Sequence, residues 1–129
     1  MATRLILDSG GASRLAERSQ KAASLLAELR DEGLWPPLVP VPVLVECLTG
    51  HAGRGVAINR LLRLCQIDER TTAMMARRAA ALRFAARRGS AIDALVVAWA
   101  EPGGAVLTSD PDDLGALATH ARGVTIVPV

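Results

Sequence analysis

Short apolar runs punctuate the chain, and each is followed by a longer stretch with apolar residues every three or four positions. Leu5-Ile6-Leu7 is the first run, and Asp8-Ser9-Gly10-Gly11 behind it predicts a buried strand ending in a turn. From Ala12 to Arg30, Leu15, Ala22, Leu25, Leu26 and Leu29 lie at helical spacing. Ser19 is placed to restart this stretch as a second helix, and Gly33 to end it. Trp35-Pro36-Pro37 reads as a stiff connector, and Leu38-Val39-Pro40-Val41 as a second strand in which Pro40 points to an edge position or a frayed end.

Pro42 suits the first turn of a helix running through Leu44, Val45, Glu46 and Leu48. Gly50 to Gly55 reads as a polar break before a helix over Val56 to Leu64, and Ile67 marks a short strand. A long helix rich in Ala and Arg is expected from Thr71 to Arg88, closed by Gly89. Ser90 opens the next helix, whose body Ile92 to Ala100 is apolar nearly all round and therefore expected to lie buried on a sheet. Strand Ala105 to Thr108, a helix begun by Ser109-Asp110-Pro111-Asp112-Asp113, and strand Val124 to Val127 complete the order. Short apolar strands alternating with helices predict an α/β fold, with a parallel sheet covered on both faces. No internal repeat or low-complexity segment interrupts it.

A chain of 129 residues is the size of one domain, 1–129, and can bury a core without staples. With one Phe, two Trp and no Tyr, that core must be aliphatic and alanine-built. An aromatic platform for stacked bases is disfavoured for the same reason. The net charge is only +2, and Lys21 is the sole lysine beside fourteen arginines, a bias that suits phosphate contacts or simply follows genome composition. Cys47 and Cys65 have no metal-ligand spacing and are expected to be buried thiols in a reducing cytosol. No run is long enough for a signal peptide or a membrane span, so a soluble, cytoplasmic protein with no membrane association is expected.

Four acids stand out for their apolar neighbours: Asp8, Glu46, Asp93 and Asp110. Asp8 and Asp110 close strands, where ligands of parallel α/β sheets collect. Each has a plainer reading. Ser90-x-x-Asp93 resembles a capping box, Asp110-Pro111 a helix N-cap with Asp112 and Asp113 complementing the dipole, and Asp8-Ser9-Gly10 an Asx turn. Glu46, in mid-helix, gains nothing as a cap, and its burial as a lone carboxylate would be costly. Carboxylates gathered in one pocket raise each other's pKa unless a divalent cation offsets them. An all-oxygen site suits Mg²⁺ or Mn²⁺, which can activate water for attack on a phosphodiester.

Leu-Ile-Leu-Asp8-Ser9-Gly10, Val-Leu-Val-Glu46, Ser90-Ala-Ile-Asp93-Ala-Leu and Leu-Thr-Ser-Asp110-Pro-Asp-Asp113-Leu, in this order, resemble the PIN-domain ribonucleases, closest to VapC-type toxins of toxin–antitoxin pairs. The resemblance runs from about Thr3 to Val129. It implies a PIN-like three-layer α/β/α sandwich around a central, mainly parallel five-stranded sheet. It also implies an Mg²⁺-dependent endoribonuclease with Asp8, Glu46, Asp93 and Asp110 as catalytic, metal-holding acids and Asp113 as an additional ligand. Ser9 stands beside the first acid, and Thr108 or Ser109 beside the fourth, as supporting hydroxyls. Such toxins dimerise and are inhibited by a small antitoxin, here a VapB-like partner. The segment Gly10-Gly11-Ala12-Ser13-Arg14 is smaller and more polar than is common in the family, which bears on the pocket wall or the antitoxin contact.

Arg14, Arg77 and Arg88 are candidate RNA contacts, within a wider set including Arg54, Arg78, Arg83 and Arg87 whose plainer role is a solvated face. His51 and His120 have no spaced partner that would make them catalytic. Other acid- or phosphate-centred folds fail on named residues: Gly53-Arg54-Gly55 lacks the third glycine of a dinucleotide loop, Gly10 stands where Asp-x-Asp phosphatases need an acid, and Lys21 is misplaced for a receiver domain. A catalytically silent PIN-like interaction module and a housekeeping RNA-processing nuclease remain as alternatives.

Overall fold

The computed structural model describes residues 2–48 and 52–129, the side chains of 52–54 excepted. Strands β1 (Leu5–Leu7), β2 (Leu38–Pro40), β3 (Gln66–Asp68), β4 (Ala105–Thr108) and β5 (Thr125–Pro128) form one five-stranded sheet. Its order is β3-β2-β1-β4-β5 and every pairing is parallel. β1 is central, with Ile6 opposite Leu38 on one side and Val106 on the other. Both faces of β1 and β4 are covered, which is why each reads as an unbroken apolar run rather than an alternating one.

Helices α1 (Ser9–Ala16), α2 (Gln20–Asp31), α3 (Val41–Cys47) and α4 (Ala52–Leu62) connect β1 to β2 and β2 to β3, and α1 packs on the other three. Helices α5 (Ala73–Ala86), α6 (Ala91–Ala100) and α7 (Pro111–Ala118) connect β3 to β4 and β4 to β5. Here α6 is the centre, packed on α5, α7, β1 and β4. Right-handed crossovers running in opposite directions along a sheet place these two groups on opposite faces, giving three α/β/α layers. The core is aliphatic, as composition requires: Ile6, Leu7, Val39, Val43, Leu82, Val96, Val97, Leu107, Leu114 and Leu117 are all at or below 1% exposure.

Ser19 does restart the first helical stretch, its hydroxyl accepting from the Ala22 N–H at the start of α2. β2 lies between β3 and β1, so Pro40 marks the end of an inner strand and not an edge. Several boundaries differ from those the sequence predicts: the helix expected over Thr71 to Arg88 is shorter by two residues at each end, and three other differences have a plain cause. α1 starts at Ser9, because Asp8 caps a helix rather than forming a free turn. Val41 belongs to α3 and not to β2, since Pro42 admits helix from its first turn. The polar break expected over 50–55 lies partly outside the described residues, as does His51, and from Ala52 onward it is already α4. Glycine lowers helix propensity without forbidding helix, so Gly53 and Gly55 are accommodated in its first turns.

Away from the strand ends, Glu101 anchors the opposite layer. Its nearly buried carboxylate accepts two hydrogen bonds from the Arg78 guanidinium, both at 2.8 Å, and one from the Arg122 N–H at 2.8 Å. These charged hydrogen bonds hold the Glu101 carboxyl below the usual glutamate range. Among the described residues no helix is long and apolar enough to cross a membrane.

Candidate functional site

From β1 the chain steps to β2 and β3, then returns through α5 and α6 to β4 on the other flank of β1. Strand order therefore reverses between β1 and β4, and the crevice outside their carboxyl ends is where such sheets place ligands. Asp8 follows β1 and Asp110 follows β4.

Asp8 is the N-cap of α1 and is buried. One carboxylate oxygen accepts from the Gly11 N–H at 2.7 Å, and the other from the hydroxyl of Thr108, which is fully buried at the end of β4. The same Thr108 oxygen accepts from the Asp110 N–H at 2.9 Å, so one hydroxyl ties the first acid to the backbone of the fourth. Burial raises the Asp8 pKa, the Thr108 and Gly11 hydrogen bonds pull it down, and the nearby negative charges of Asp93 and Asp110 add to the rise.

This arrangement depends on two glycines. A Cβ on Gly11 would lie 2.2 Å from the Leu107 carbonyl oxygen, and one on Gly10 would lie 2.0 Å from the Ser109 hydroxyl. The small residues after Asp8 thus let the first turn of α1 lie directly against the end of β4. Only the two adjacent glycines behind a strand-ending acid hinted at this close approach.

Asp93 and Asp110 come from the other layer. Ser90 and Asp93 form a reciprocal capping box at the start of α6, each backbone N–H meeting the other's side chain at 3.0 Å. Asp110 caps α7. Capping and clustering therefore coexist. Among the described residues, Asp93, Asp110 and Asp113 each offer a carboxylate oxygen, and these oxygens lie within 4.8 Å of one another. The N-termini of α6 and α7, with their positive dipole ends, partly offset the repulsion.

Three carboxylate oxygens this close can share one hard divalent cation such as Mg²⁺. The donor set, all hard carboxylate oxygen, fits such a cation. Asp8 and Glu46 lie outside this triplet.

Glu46 is exposed on α3 and pairs with no described side chain, so the burial penalty the sequence suggested does not arise. Neighbouring Cys47 is buried, its thiol pushed up to about 11 by burial and then by the Glu46 and Asp8 charges. The half-buried Cys65 thiol is likewise raised to about 11, chiefly by burial, and both are unreactive at neutral pH. Of the supporting hydroxyls, Thr108 holds Asp8 as well as the Asp110 backbone, Ser109 abuts Gly10, and Ser9 is half-buried at the start of α1.

The arginines divide. Arg88 donates from Nε to Asp113 at 2.7 Å, placing a guanidinium on the acid triplet. Arg14 pairs with Glu17 at 3.5 Å and lines a groove, shared with Leu25, Glu28 and Val129, that includes none of Asp8, Glu46, Asp93, Asp110 and Asp113. Arg77 is exposed on α5, and the side chain of Arg54 lies outside the described residues. The chain matches no protein-family model and shows no significant match to a curated protein.

Proposed function

We propose that this chain is an Mg²⁺- or Mn²⁺-dependent endoribonuclease, similar to PIN-domain toxins of the VapC type. The observation that carries the reading is the gathering of Asp93, Asp110 and Asp113 at the switch point of a parallel sheet, beside a buried Asp8. Asp93, Asp110 and Asp113 are the residues to hold the cation. When bound, it supplies Lewis-acid stabilisation to phosphodiester oxygens and a source of activated water at neutral pH. Asp8, fixed by Thr108 and Gly11, adds a fourth carboxylate whose raised pKa moves it towards the range useful for taking a proton. Glu46, exposed on the helix that follows β2, is available to meet substrate or a second cation. A toxin role, a cytoplasmic setting, a homodimer and a VapB-like antitoxin belong to the same proposal.

The test is cleavage of labelled RNA with and without Mg²⁺. Asp8→Asn and Asp93→Asn are each expected to abolish metal-dependent cleavage while circular dichroism stays that of the parent. Wild-type-like cleavage by both variants, or no metal-dependent cleavage by the parent, refutes the site. Growth arrest on expression without a partner, relieved in the double variant, separates a toxin from a housekeeping nuclease.

A further inference from the structure

Helix α5 carries two stripes. Met75, Arg78, Ala79, Leu82 and Ala86 face inward, where Ala79 and Leu82 are buried. Met74, Arg77, Ala81 and Phe84 recur at spacings of three, four and three on the outer side, and all are exposed. Phe84 is the only phenylalanine of the chain and stands 80% exposed; Met74 is 79% exposed. From Ala73 to Arg88 there are five arginines and no acid, Arg78 being turned to Glu101 and Arg88 paired with Asp113. α5 ends at Ala86, Arg87 turns the chain in a left-handed conformation, and Arg88 just beyond it sets its guanidinium on Asp113 of the acid triplet.

We propose that the outer face of α5 is the track along which single-stranded RNA approaches the acid site, with Phe84 stacking on an unpaired base. The inference rests on the nuclease reading and adds where the substrate lies. Charge complementarity selects the occupant: a face with arginines and no acids suits a polyanion, whereas pairing it with its own copy sets arginine against arginine. The composition leaves no platform of several aromatics, but a single exposed one between cations can combine stacking for one base with guanidinium for its phosphate.

Binding is measured by fluorescence anisotropy with a labelled single-stranded RNA of mixed sequence, in the full-length Asp93→Asn background so that the RNA stays whole. Phe84→Ala is expected to weaken binding about tenfold. Phe84→Trp is expected to keep the affinity, and its added fluorescence to be quenched by RNA. Arg77→Gln should lower the slope of log affinity against log salt by about 0.7. Because Phe84 lies in solvent, these variants leave the core untouched. Unchanged affinity in Phe84→Ala, or no quench in Phe84→Trp, overturns the track and leaves the nuclease reading standing. Absence of RNA binding by the Asp93→Asn parent overturns both. Conversion of a dimer to a monomer by Phe84→Ala, with RNA binding intact, assigns the face to a second copy and overturns the proposal.

Discussion

Replacing glycine by alanine within a helix ordinarily stabilises it by about 0.8–1 kcal/mol. At Gly11 the sign should reverse. The new methyl would sit 2.2 Å from the Leu107 carbonyl oxygen and 2.8 Å from its carbon, both backbone atoms of β4 that no side-chain rotation can move. Overpacking of this kind costs about 1–3 kcal/mol, and a backbone clash an ångström too short belongs at the upper end. The net loss is then about 2 kcal/mol. For 129 residues the entropy of unfolding is about 0.27 kcal/mol/K, so Tm should fall by about 7 °C. Two other glycines calibrate the argument. At Gly10 the nearest atom is the Ser109 hydroxyl, which can swing away, leaving contacts of 3.0 and 3.2 Å, so Gly10→Ala should be close to neutral. Gly115 in α7 has nothing within 4 Å, so Gly115→Ala should raise Tm by about 3 °C. Differential scanning calorimetry of the three variants reads the order directly. A Gly11→Ala protein that melts at or above the parent would mean that α1 does not rest on the end of β4.

Three further expectations concern the acids. Asp8 binds its proton more tightly folded than unfolded, so its ionised form costs stability in full above the raised folded pKa. That cost shrinks as pH falls through the folded pKa and is gone below the ordinary aspartate value. Asp8→Asn should therefore raise Tm at pH 7 and flatten this part of the pH profile; an equal or lower Tm counts against burial of the charge. Thr108→Val strips a hydrogen bond from Asp8 and another from the Asp110 N–H, and should cost about 1–3 kcal/mol while pushing the Asp8 pKa higher in an NMR titration. Arg88→Ala removes the cation now paired with Asp113 and should reduce the Mn²⁺ concentration needed for half-maximal thermal shift about two- to fivefold, whereas an unchanged midpoint would place the ion elsewhere.

Much of the fold was legible because its signals are local. Leu5-Ile6-Leu7 and Ala105 to Thr108 are strands as read, and the apolar helix after Ser90 lies against β1 and β4 as its all-round hydrophobicity required. The errors come from residues whose role is decided by distant partners. Asp8 looks like a turn residue until α1 is seen to begin on it, and Gly10 and Gly11 look like flexibility until β4 arrives beside them. Glu46 drew attention for its apolar neighbours, but α3 has one inward face, and Val43 and Cys47 occupy it while Val45 and Glu46 point out. Glu101 carries no local signal; its partners Arg78 and Arg122 lie 23 and 21 positions away in the chain. Asp93, Asp110 and Asp113 were visible singly as caps, and their proximity is a product of the crossover between β3 and β4.

Because Asp8, Asp93 and Asp110 each satisfy helix N–H groups, asparagine can inherit every one of those structural duties, and at position 8 it also relieves a buried charge. Loss of chemistry at this edge then leaves each helix start capped, and gives up only the hydroxyl bond that Thr108 donates to the second oxygen of Asp8 and the favourable charge at the other two caps. An amide at these positions would therefore leave the same scaffold without its chemistry.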